Sequence, residues 1–390
     1  MSQATALRTA WKDHWSDFDG VTYLNFAGHA ARPLVVREAV ERSVAVALRP
    51  DRLDETAFFE AAAAARRGMA SLIGANEGDV SLTTGASAGL AHCAHALSWQ
   101  AGDEVAIVAG DFPSHHSTWA PWAVRAQLSL RVIRPRSRVP AAEDIVAELS
   151  ARTRVLSVSH VRFDDGSMLN VPMVAEACRR HGTLLVLDVS QSCGALPIDV
   201  EHLGADVLVC AGYKYLLGPW GSGFMWTSAR TRETFGAMPS NWLAQSATKF
   251  RELEYNAPTL RDDAGRWDAA EFSTPFNFNL SALCASVNFV VQARVSTVHA
   301  HIVDLLATLR EAAGPRVSWI TPAKRGTFGP FLCLEAPTPA EGQRVHEVLK
   351  AQGIMTALRN GRVRIAPHLL HTREDMQRVA RLLRAALQLT

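Results

Sequence analysis

The chain has 390 residues, more than one ordinary domain contains, and 48% of them are hydrophobic, enough to build a sizeable core. This composition excludes a disordered protein. The 40 Lys and Arg residues nearly balance the 38 Asp and Glu residues, so the net charge of +2 excludes a general attraction to nucleic acid or to a membrane surface.

The start of the chain and its cysteines bear on where the protein works. The first 20 residues are polar and aromatic, without the apolar segment and small-residue cleavage site of a secretory signal. No run of about 18 apolar residues occurs, so the sequence predicts no membrane-spanning helix. The six cysteines lie far apart with no CxxC pair, which predicts neither a metal site nor a disulfide framework. We expect a cytoplasmic protein without a membrane partner.

Apolar segments alternate with helical segments over about residues 55–240. Strong helix formers predict a first helix over 57–73. The predicted strands are 79–85, 104–110, 129–135, 154–160, 183–190 and 205–212, and further helices are predicted at 141–151 and 171–182. Apolar strands that alternate with helices are typical of a parallel sheet covered on both faces, so we expect an α/β fold with a mainly parallel, seven-stranded sheet.

The pattern changes after residue 280. One long helical stretch over 280–314 ends at a Gly-Pro pair. Three short strands (317–322, 329–337 and 362–367) and two helices (340–353 and 373–387) follow. This predicts a smaller α+β domain over 281–390, beside a large domain over 51–280. Residues 1–50 lack a core of their own and are expected to pack on both domains.

Three features are expected at the edge of the sheet where the strands end, which is where parallel sheets bind ligands. Gly85, Ala86 and Ser87 form a turn of small residues at a helix start, where backbone N–H groups can approach a phosphate. Asp188 ends one apolar strand and Lys214 follows another. Each feature alone is commonly an ordinary turn or a solvated lysine, whereas the three together are uncommon.

These features match the needs of pyridoxal 5′-phosphate (PLP). Its aldehyde needs a lysine amine, its ring nitrogen needs a carboxylate, and its phosphate needs a helix N-terminus. A nucleotide-binding protein is the competing interpretation of the glycine turn. The turn carries neither a P-loop GK[ST] nor a GxGxxG motif, which disfavours that alternative.

Motifs spread over nearly the whole chain resemble the fold-type-I, class V aminotransferase superfamily, which includes cysteine desulfurases, kynureninases and isopenicillin N epimerase-like proteins. The segments that carry the resemblance are YLNFAGHAARP (23–33), TTGASAGL (83–90), DFPSHHSTW (111–119), SHVRFDDGSMLNV (159–171), LDVSQSCGALPIDV (187–200), GYKYLLGPWGSGF (212–224), EFSTPFNF (271–278) and VRIAPHLLHTREDM (363–376). Their order along the chain is more specific than any single motif.

The resemblance implies PLP as the cofactor and roles for individual residues. Lys214 would be the lysine that holds the cofactor, and Asp188 would bind the ring nitrogen. The other implied cofactor-binding residues are Gln191 at the ring hydroxyl, Ala86, Ser87 and Tyr213 at the phosphate, and Ser273 and Thr274 at the phosphate of a dimer partner. Arg364, Asn25 and His29 are implied for substrate binding, with Arg364 on the α-carboxylate. A homodimer with a shared active site follows, to which Trp242 would also contribute.

The DFPS motif implies the residue that covers the cofactor ring. Desulfurases place a histidine there, whereas the kynureninase-like and epimerase-like branch places the phenylalanine of this motif, here Phe112. His115 and His116 follow at once and could act as acid–base groups. Two adjacent loop histidines are more often solvated or interfacial, and we expect that here.

The motifs leave several reactions open. Epimerase-like or lyase chemistry, breaking a C–S or C–C bond of an α-amino acid, is favoured by DFPS and SHVRF. The alternatives are a transaminase or a cysteine desulfurase or selenocysteine lyase. A desulfurase needs an exposed nucleophilic cysteine, whereas Cys333 lies in an apolar strand pattern and Cys193 is expected to pack. A non-catalytic PLP-binding protein would not need Lys214, Asp188 and Arg364 together. Specificity is expected from the loops 29–55 and 241–267.

Overall fold

The computed structural model describes residues 11–53, 56–236, 241–244, 260–269, 272–274 and 277–388. In chain order the strands are β1 (Thr22–Tyr23), β2 (Val80–Thr83), β3 (Glu104–Val108), β4 (Ser129–Ile133), β5 (Thr153–Ser159), β6 (Leu184–Asp188), β7 (Val207–Ala211), β8 (Gly223–Thr227), β9 (Leu332–Cys333), β10 (Ile354–Met355), β11 (Ala357–Arg359) and β12 (Arg362–Ile365). The helices are α1 (Leu34–Leu48), α2 (Glu60–Ile73), α3 (Ala86–Ala96), α4 (Pro113–Arg125), α5 (Ala142–Val146), α6 (Val171–His181), α7 (Val200–Leu203), α8 (Ala229–Thr234), α9 (Phe278–Ala293), α10 (Val295–Ala313), α11 (Pro339–Ala351) and α12 (Arg373–Ala386). None of these helices has both the length and the apolar character needed to cross a membrane.

Among the described residues, seven strands form the central sheet in the order β2-β8-β7-β6-β5-β3-β4. Strands β3 to β7 run parallel, while β8 pairs antiparallel with both β7 and β2. The expected α/β fold with a mainly parallel sheet is confirmed. Strand β8 was not among the strands located from the sequence, because its short apolar run follows the glycine- and proline-rich segment 218–223.

The interior strands are buried along their whole length. Every residue of β6 and β7 is buried, as expected for strands covered by helices on both faces. Their carboxyl ends meet at one edge, because the register pairs Ser159 of β5 with Asp188 of β6, and Asp188 with Val209 of β7. The sheet therefore brings Asp188 to the edge at which β7 leads into Lys214.

The C-terminal part differs from the sequence prediction in three places, the first being that strands β10 and β11 were not predicted. Residues 317–322 form no strand, since only Trp319 pairs with Leu334 through an isolated bridge. The long helical stretch is split into α9 and α10 at Arg294, whose φ of 60° breaks the helix. The short strands form an antiparallel sheet in the order β11-β12-β9.

The N-terminal segment contacts several parts of the chain. Strand β1 pairs in parallel with β10, Asn25 bridges to Ala366, and α1 packs on α9. These contacts bring the segment 23–30 to the same edge of the molecule as β12. The domain boundaries at residues 50 and 280 stay a prediction.

Candidate active site

A small cavity lies at the carboxyl ends of β5 and β6. Seven side chains line it: Phe112, Ser159, Val161, Phe163, Asp188, Gln191 and Lys214. Four of these (Phe112, Asp188, Gln191 and Lys214) are residues that the sequence placed in the site. The fold thus brings together residues that are up to about a hundred positions apart in the chain.

Lys214 contributes a buried amine to this lining. Its side chain is buried, and its Nζ atom lies 5.0 Å from the centroid of the Phe112 ring and 5.8 Å from that of Tyr213. Burial lowers the pKa of the Lys214 amine, the positive charges of Arg364 and Arg359 lower it further, and Asp188 opposes them. A lowered pKa favours the neutral amine, which is the form that attacks a carbonyl carbon.

Asp188 and Gln191 also line the cavity. The Oδ1 atom of Asp188 accepts a hydrogen bond from the Ser190 N–H at 2.8 Å, which fixes the buried carboxylate. The Nε2 atom of Gln191 donates to the Ala27 carbonyl at 3.0 Å. Within the described residues its buried Oε1 atom has no hydrogen-bond partner. A buried polar atom without a partner is costly, so this atom is suited to a ligand group.

The turn after β2 is built to admit an anion. Gly85 has a φ of 148°, and a Cβ atom at this position would meet no other atom within 4 Å. Helix α3 begins at Ala86 without a side-chain cap, so its first N–H groups are available to a ligand. The Ser87 hydroxyl is exposed and lies 2.7 Å from that of Ser114, at the start of α4. Ser114 is a further polar group here that the sequence did not single out.

Arg364 is almost fully buried beside the cavity. Its Nη1 atom donates to the Phe163 carbonyl at 2.7 Å, and its Nε atom has no partner within the described residues. Arg359 lies on the adjoining strand β11 and was not identified from the sequence. The positive charges of Arg359 and Arg364 act on both Lys214 and His29, lowering the pKa of each. The Asn-Gly pair at 360–361, a common hairpin turn, was the signal that could have placed Arg359 here.

The N-terminal segment supplies two further predicted residues. Asn25 has a buried Oδ1 atom with no hydrogen-bond partner in the described part of the chain. His29 is exposed, and its ring centroid lies 5.2 Å from that of Trp220 and 6.4 Å from that of Tyr213. The Tyr213 ring in turn stacks on Trp220 at 3.6 Å, so these three rings form one aromatic group next to Lys214. Partial burial lowers the pKa of His29, which favours its neutral form.

Ser273 does not line the cavity of its own chain. Its hydroxyl donates to Asp268 at 3.3 Å, and Asp268 also accepts from the Leu82 N–H at 2.7 Å and pairs with Arg66. Thr274 follows it and is half-buried. Much of the loop 241–267, expected to contribute to specificity, lies outside the described residues, as do residues 54 and 55 of the other loop.

The expectation that His115 is solvated or interfacial is wrong. DFPSHHSTW is not a loop beyond its first residues, because α4 begins at Pro113. His115 is buried in the first turn of α4, where the Ser157 and Ser159 hydroxyls of β5 satisfy its ring nitrogens. His116, next to it, is exposed.

All six cysteines lie in the described residues, and none of them lines the cavity. Burial raises the pKa of the Cys93, Cys178 and Cys333 thiols to about 12. Cys284 is half-buried and lines a separate cleft between α1, α2 and α9. A cavity lining without a thiol disfavours reactions that need a nucleophilic cysteine of the enzyme.

These features fit PLP. The cavity offers a buried lysine amine, a fixed carboxylate and an aromatic ring, and the open turn at Gly85 leads into a helix N-terminus without a cap. The buried Gln191 Oε1 atom still needs a partner. The donor set therefore matches the aldehyde, ring and phosphate of the cofactor.

Comparison with known proteins settles the family. The family profile for Aminotransferase class-V matches residues 22–389. The chain belongs to the class V aminotransferase family. Members of this family are PLP-dependent enzymes, so the expectations of a PLP cofactor and of an enzyme are confirmed at the level of the family.

Individual relatives of this class V chain span several activities. The chain is 26% identical over 313 residues to the uncharacterized aminotransferase YcbU of Bacillus subtilis, covering 80% of each protein. It is 29% identical over 301 residues to a probable cysteine desulfurase of Mycolicibacterium paratuberculosis, covering 74% of this chain and 42% of the relative. The solved structure of the cystine C–S lyase C-DES with its product cysteine persulfide superposes with a TM-score of 0.83 at 18% identity, covering 94% of this chain and 98% of that one. The structural likeness shows the shared fold.

Proposed function

We propose that the protein is a PLP-dependent lyase that acts on an α-amino acid and releases a sulfur or carbon group from its side chain, without using a thiol of its own. The observation that carries the proposal is the buried Lys214 amine, facing Phe112 and Asp188 in a cavity whose lining contains no cysteine. Among the lining residues Lys214 is the one basic group. A single base suits proton removal from Cα followed by departure of a leaving group.

Each predicted residue has a task in this proposal. Bound PLP would supply an electron sink for bonds to the substrate Cα. Lys214 would hold the cofactor and later carry the Cα proton on its Nζ atom, while Asp188 would keep the ring nitrogen protonated. Phe112 would cover one ring face, and Gln191 would contact the ring hydroxyl. Arg364 would bind the α-carboxylate with its guanidinium, with Asn25 and His29 beside it.

The phosphate end of the cofactor would lie at the turn after β2. Ala86 and Ser87 would contact it through the first N–H groups of α3 and the Ser87 hydroxyl. Burial raises the pKa of the Tyr213 phenol, which favours its protonated, donating form and supports its proposed role at the phosphate.

A desulfurase is the main rival, because relatives of this chain carry that description. Such an enzyme needs a reactive thiolate next to the substrate sulfur, and burial raises the pKa of Cys333 and Cys210, which disfavours their thiolates. An epimerase is disfavoured by the single basic group in the cavity. A C–S lyase shares the substrate class of a desulfurase but needs no enzyme thiol, and C-DES is described as such a lyase on the same fold.

The test is a product analysis of the purified, PLP-loaded protein on a panel of amino acids that includes cystine, cysteine and aromatic γ-keto amino acids. A C–S lyase yields a keto acid, ammonia and the released sulfur fragment in equal amounts, whereas a hydrolytic C–C lyase yields alanine and an aromatic carboxylic acid in equal amounts. Inversion of the stereocentre without bond loss would establish an epimerase instead. Transfer of the amino group to an added keto acid would establish a transaminase.

We also propose a homodimer with a shared active site, and a cytoplasmic location. Ser273 and Thr274 would reach the partner's phosphate site. Exposed apolar side chains on α1 and around the site, such as Leu48, Trp220 and Phe278, support a covered surface. Sedimentation of the purified protein should give twice the chain mass of 42.4 kDa. A fully active monomer at nanomolar concentration would contradict the shared site.

A further inference from the structure

Four polar side chains form a hydrogen-bonded chain beneath the Lys214 cavity. The Nδ1 atom of His115 lies 2.8 Å from the Ser157 hydroxyl, and its Nε2 atom lies 3.3 Å from the Ser159 hydroxyl. The Ser159 hydroxyl donates to Asp111 Oδ1 at 2.6 Å. His115 is almost fully buried, and nothing in the proposed reaction uses it. Because Ser159 also lines the cavity together with Asp188, these hydrogen-bonded side chains connect the interior of β5 with the wall of the site.

The Asp111 carboxylate sets the direction of the hydrogen bonds on its side of His115. The Asp111 carboxylate can only accept, so the Ser159 hydroxyl must donate to it. The Ser159 oxygen then accepts from His115, which places the imidazole proton on Nε2. The Nδ1 atom is paired with the Ser157 hydroxyl. The geometry therefore places a proton on the Nε2 atom of His115 and gives both of its ring nitrogens a partner.

Asp111, the last of these hydrogen-bonded side chains, holds Phe112 in place. Asp111 accepts the Phe112 N–H at 2.7 Å and the Ser159 N–H at 2.9 Å, so its carboxylate joins the start of α4 to strand β5. The backbone N–H of His115 also donates to the Phe112 carbonyl at 3.1 Å. The Phe112 ring lies 5.0 Å from Lys214 Nζ and meets the edge of Phe163 at 5.3 Å. The residue at the cofactor face is thus held from both of its backbone ends.

We propose that His115 is a positioning residue that acts through Ser159 and Asp111 to hold Phe112 at the face of the cavity. The proposal rests on the proposed function, since Phe112 matters as the cover of the cofactor ring. His115 touches neither the substrate nor the cofactor. Its effect comes from the placement of one aromatic ring, and a small displacement of a group in an active site is costly to the rate.

The variants are His115→Ala, His115→Gln and His116→Ala. His115→Ala removes both ring nitrogens, whereas His115→Gln keeps an N–H donor that can reach Ser159. His116→Ala is the matched control, because it changes the neighbouring histidine, whose side chain is exposed. Each variant is loaded with PLP and measured for cofactor content, for visible circular dichroism per bound cofactor, and for kcat and KM.

For His115→Ala we expect normal PLP content, loss of most of the visible circular dichroism, and a kcat lower by about 10- to 100-fold with KM nearly unchanged. His115→Gln should recover a large part of both the visible circular dichroism and kcat. His116→Ala should match the wild type. Equal circular dichroism and kcat in His115→Ala and wild type would overturn the proposal. A wild-type protein that binds no PLP would instead overturn the proposed function.

A second variant covers the case in which His115→Ala does not fold. Ser157→Ala removes only the partner of the His115 Nδ1 atom and leaves the hydrogen bonds to Ser159 and Asp111 in place. It should lower the circular dichroism and kcat in the same direction as His115→Ala but by less. A Ser157→Ala protein that loses thermal stability while keeping the wild-type spectrum and kcat would assign the network a purely structural role and contradict the proposal.

Discussion

The two regions that face the Lys214 cavity are built in different ways. The edge of the central sheet holds Asp188 at the end of one fully buried five-residue parallel strand and Lys214 just after another. The hairpin β11–β12 holds Arg359 and Arg364 on strands of three and four residues joined by an Asn-Gly turn. The sheet edge contributes an acid and an amine, whereas the hairpin contributes two cations that form no ion pair with a carboxylate in the described part of the chain.

This difference assigns different tasks to the two regions. A rigid sheet edge suits a cofactor, which has to stay in one place during many turnovers. A pair of cations without an acidic partner suits an anionic group that arrives with each substrate molecule. Substitutions at the sheet edge should therefore change kcat and the cofactor spectrum, and substitutions on the hairpin should change KM.

The largest effect is expected from Lys214→Ala. Loss of the amine removes both the attachment of the cofactor and the base for Cα, so we expect kcat to fall by at least ~1,000-fold. Assays of product release with excess PLP measure this directly. Lys350→Ala, at an exposed lysine of α11, is the control and should keep wild-type activity.

Asp188→Asn should give the next largest loss. A neutral amide cannot keep the ring nitrogen protonated, so kcat should fall by roughly 100-fold or more while the cofactor stays bound. Absorbance of the bound cofactor and steady-state kinetics report the two quantities. Asp206→Asn, at a buried aspartate before β7, is the matched control. Near-wild-type turnover in Asp188→Asn would contradict the proposed role of Asp188 at the ring nitrogen.

Arg364→Lys should act mainly on substrate binding. Lysine keeps the charge but loses the two parallel donors, so KM should rise by about 10-fold or more with a smaller change in kcat. Initial rates over a range of substrate concentrations separate the two parameters. Arg344→Lys on the exposed side of α11 should change neither. If Arg364→Lys lowered kcat alone, the division of tasks between the two regions would fail.

The smallest effects are expected from single Cys→Ala variants. Five of the six cysteines are buried and the sixth lines another cleft, so each variant should keep kcat within about threefold while losing up to about 2 kcal/mol of unfolding free energy. Chemical unfolding and turnover assays measure the two effects. A loss of activity by orders of magnitude in Cys193→Ala, with the PLP spectrum intact, would favour a desulfurase over the proposed lyase.

The sequence predicted the sheet edge better than the surrounding structure. Asp188 and Lys214 could be placed because apolar strands of a parallel sheet end at a common edge. Strand β8 was missed because antiparallel strands need no helix between them, and the break at Arg294 was missed because neither Gly nor Pro marks it. The burial of His115 depends on Ser157 and Ser159, more than forty positions away. Arg359 enters the site through the register of the hairpin, which the Asn-Gly pair at 360–361 could have indicated.

The most direct test of the central claim is to reduce the PLP-loaded protein with borohydride and to locate the trapped cofactor by peptide mass spectrometry. We expect one modified peptide, with the cofactor on Lys214. The lowered pKa of this amine also predicts that trapping persists at pH values well below the ordinary lysine pKa of 10.5. Cofactor trapped on another lysine, or no trapped cofactor in a protein that turns over amino acids, would contradict the claim.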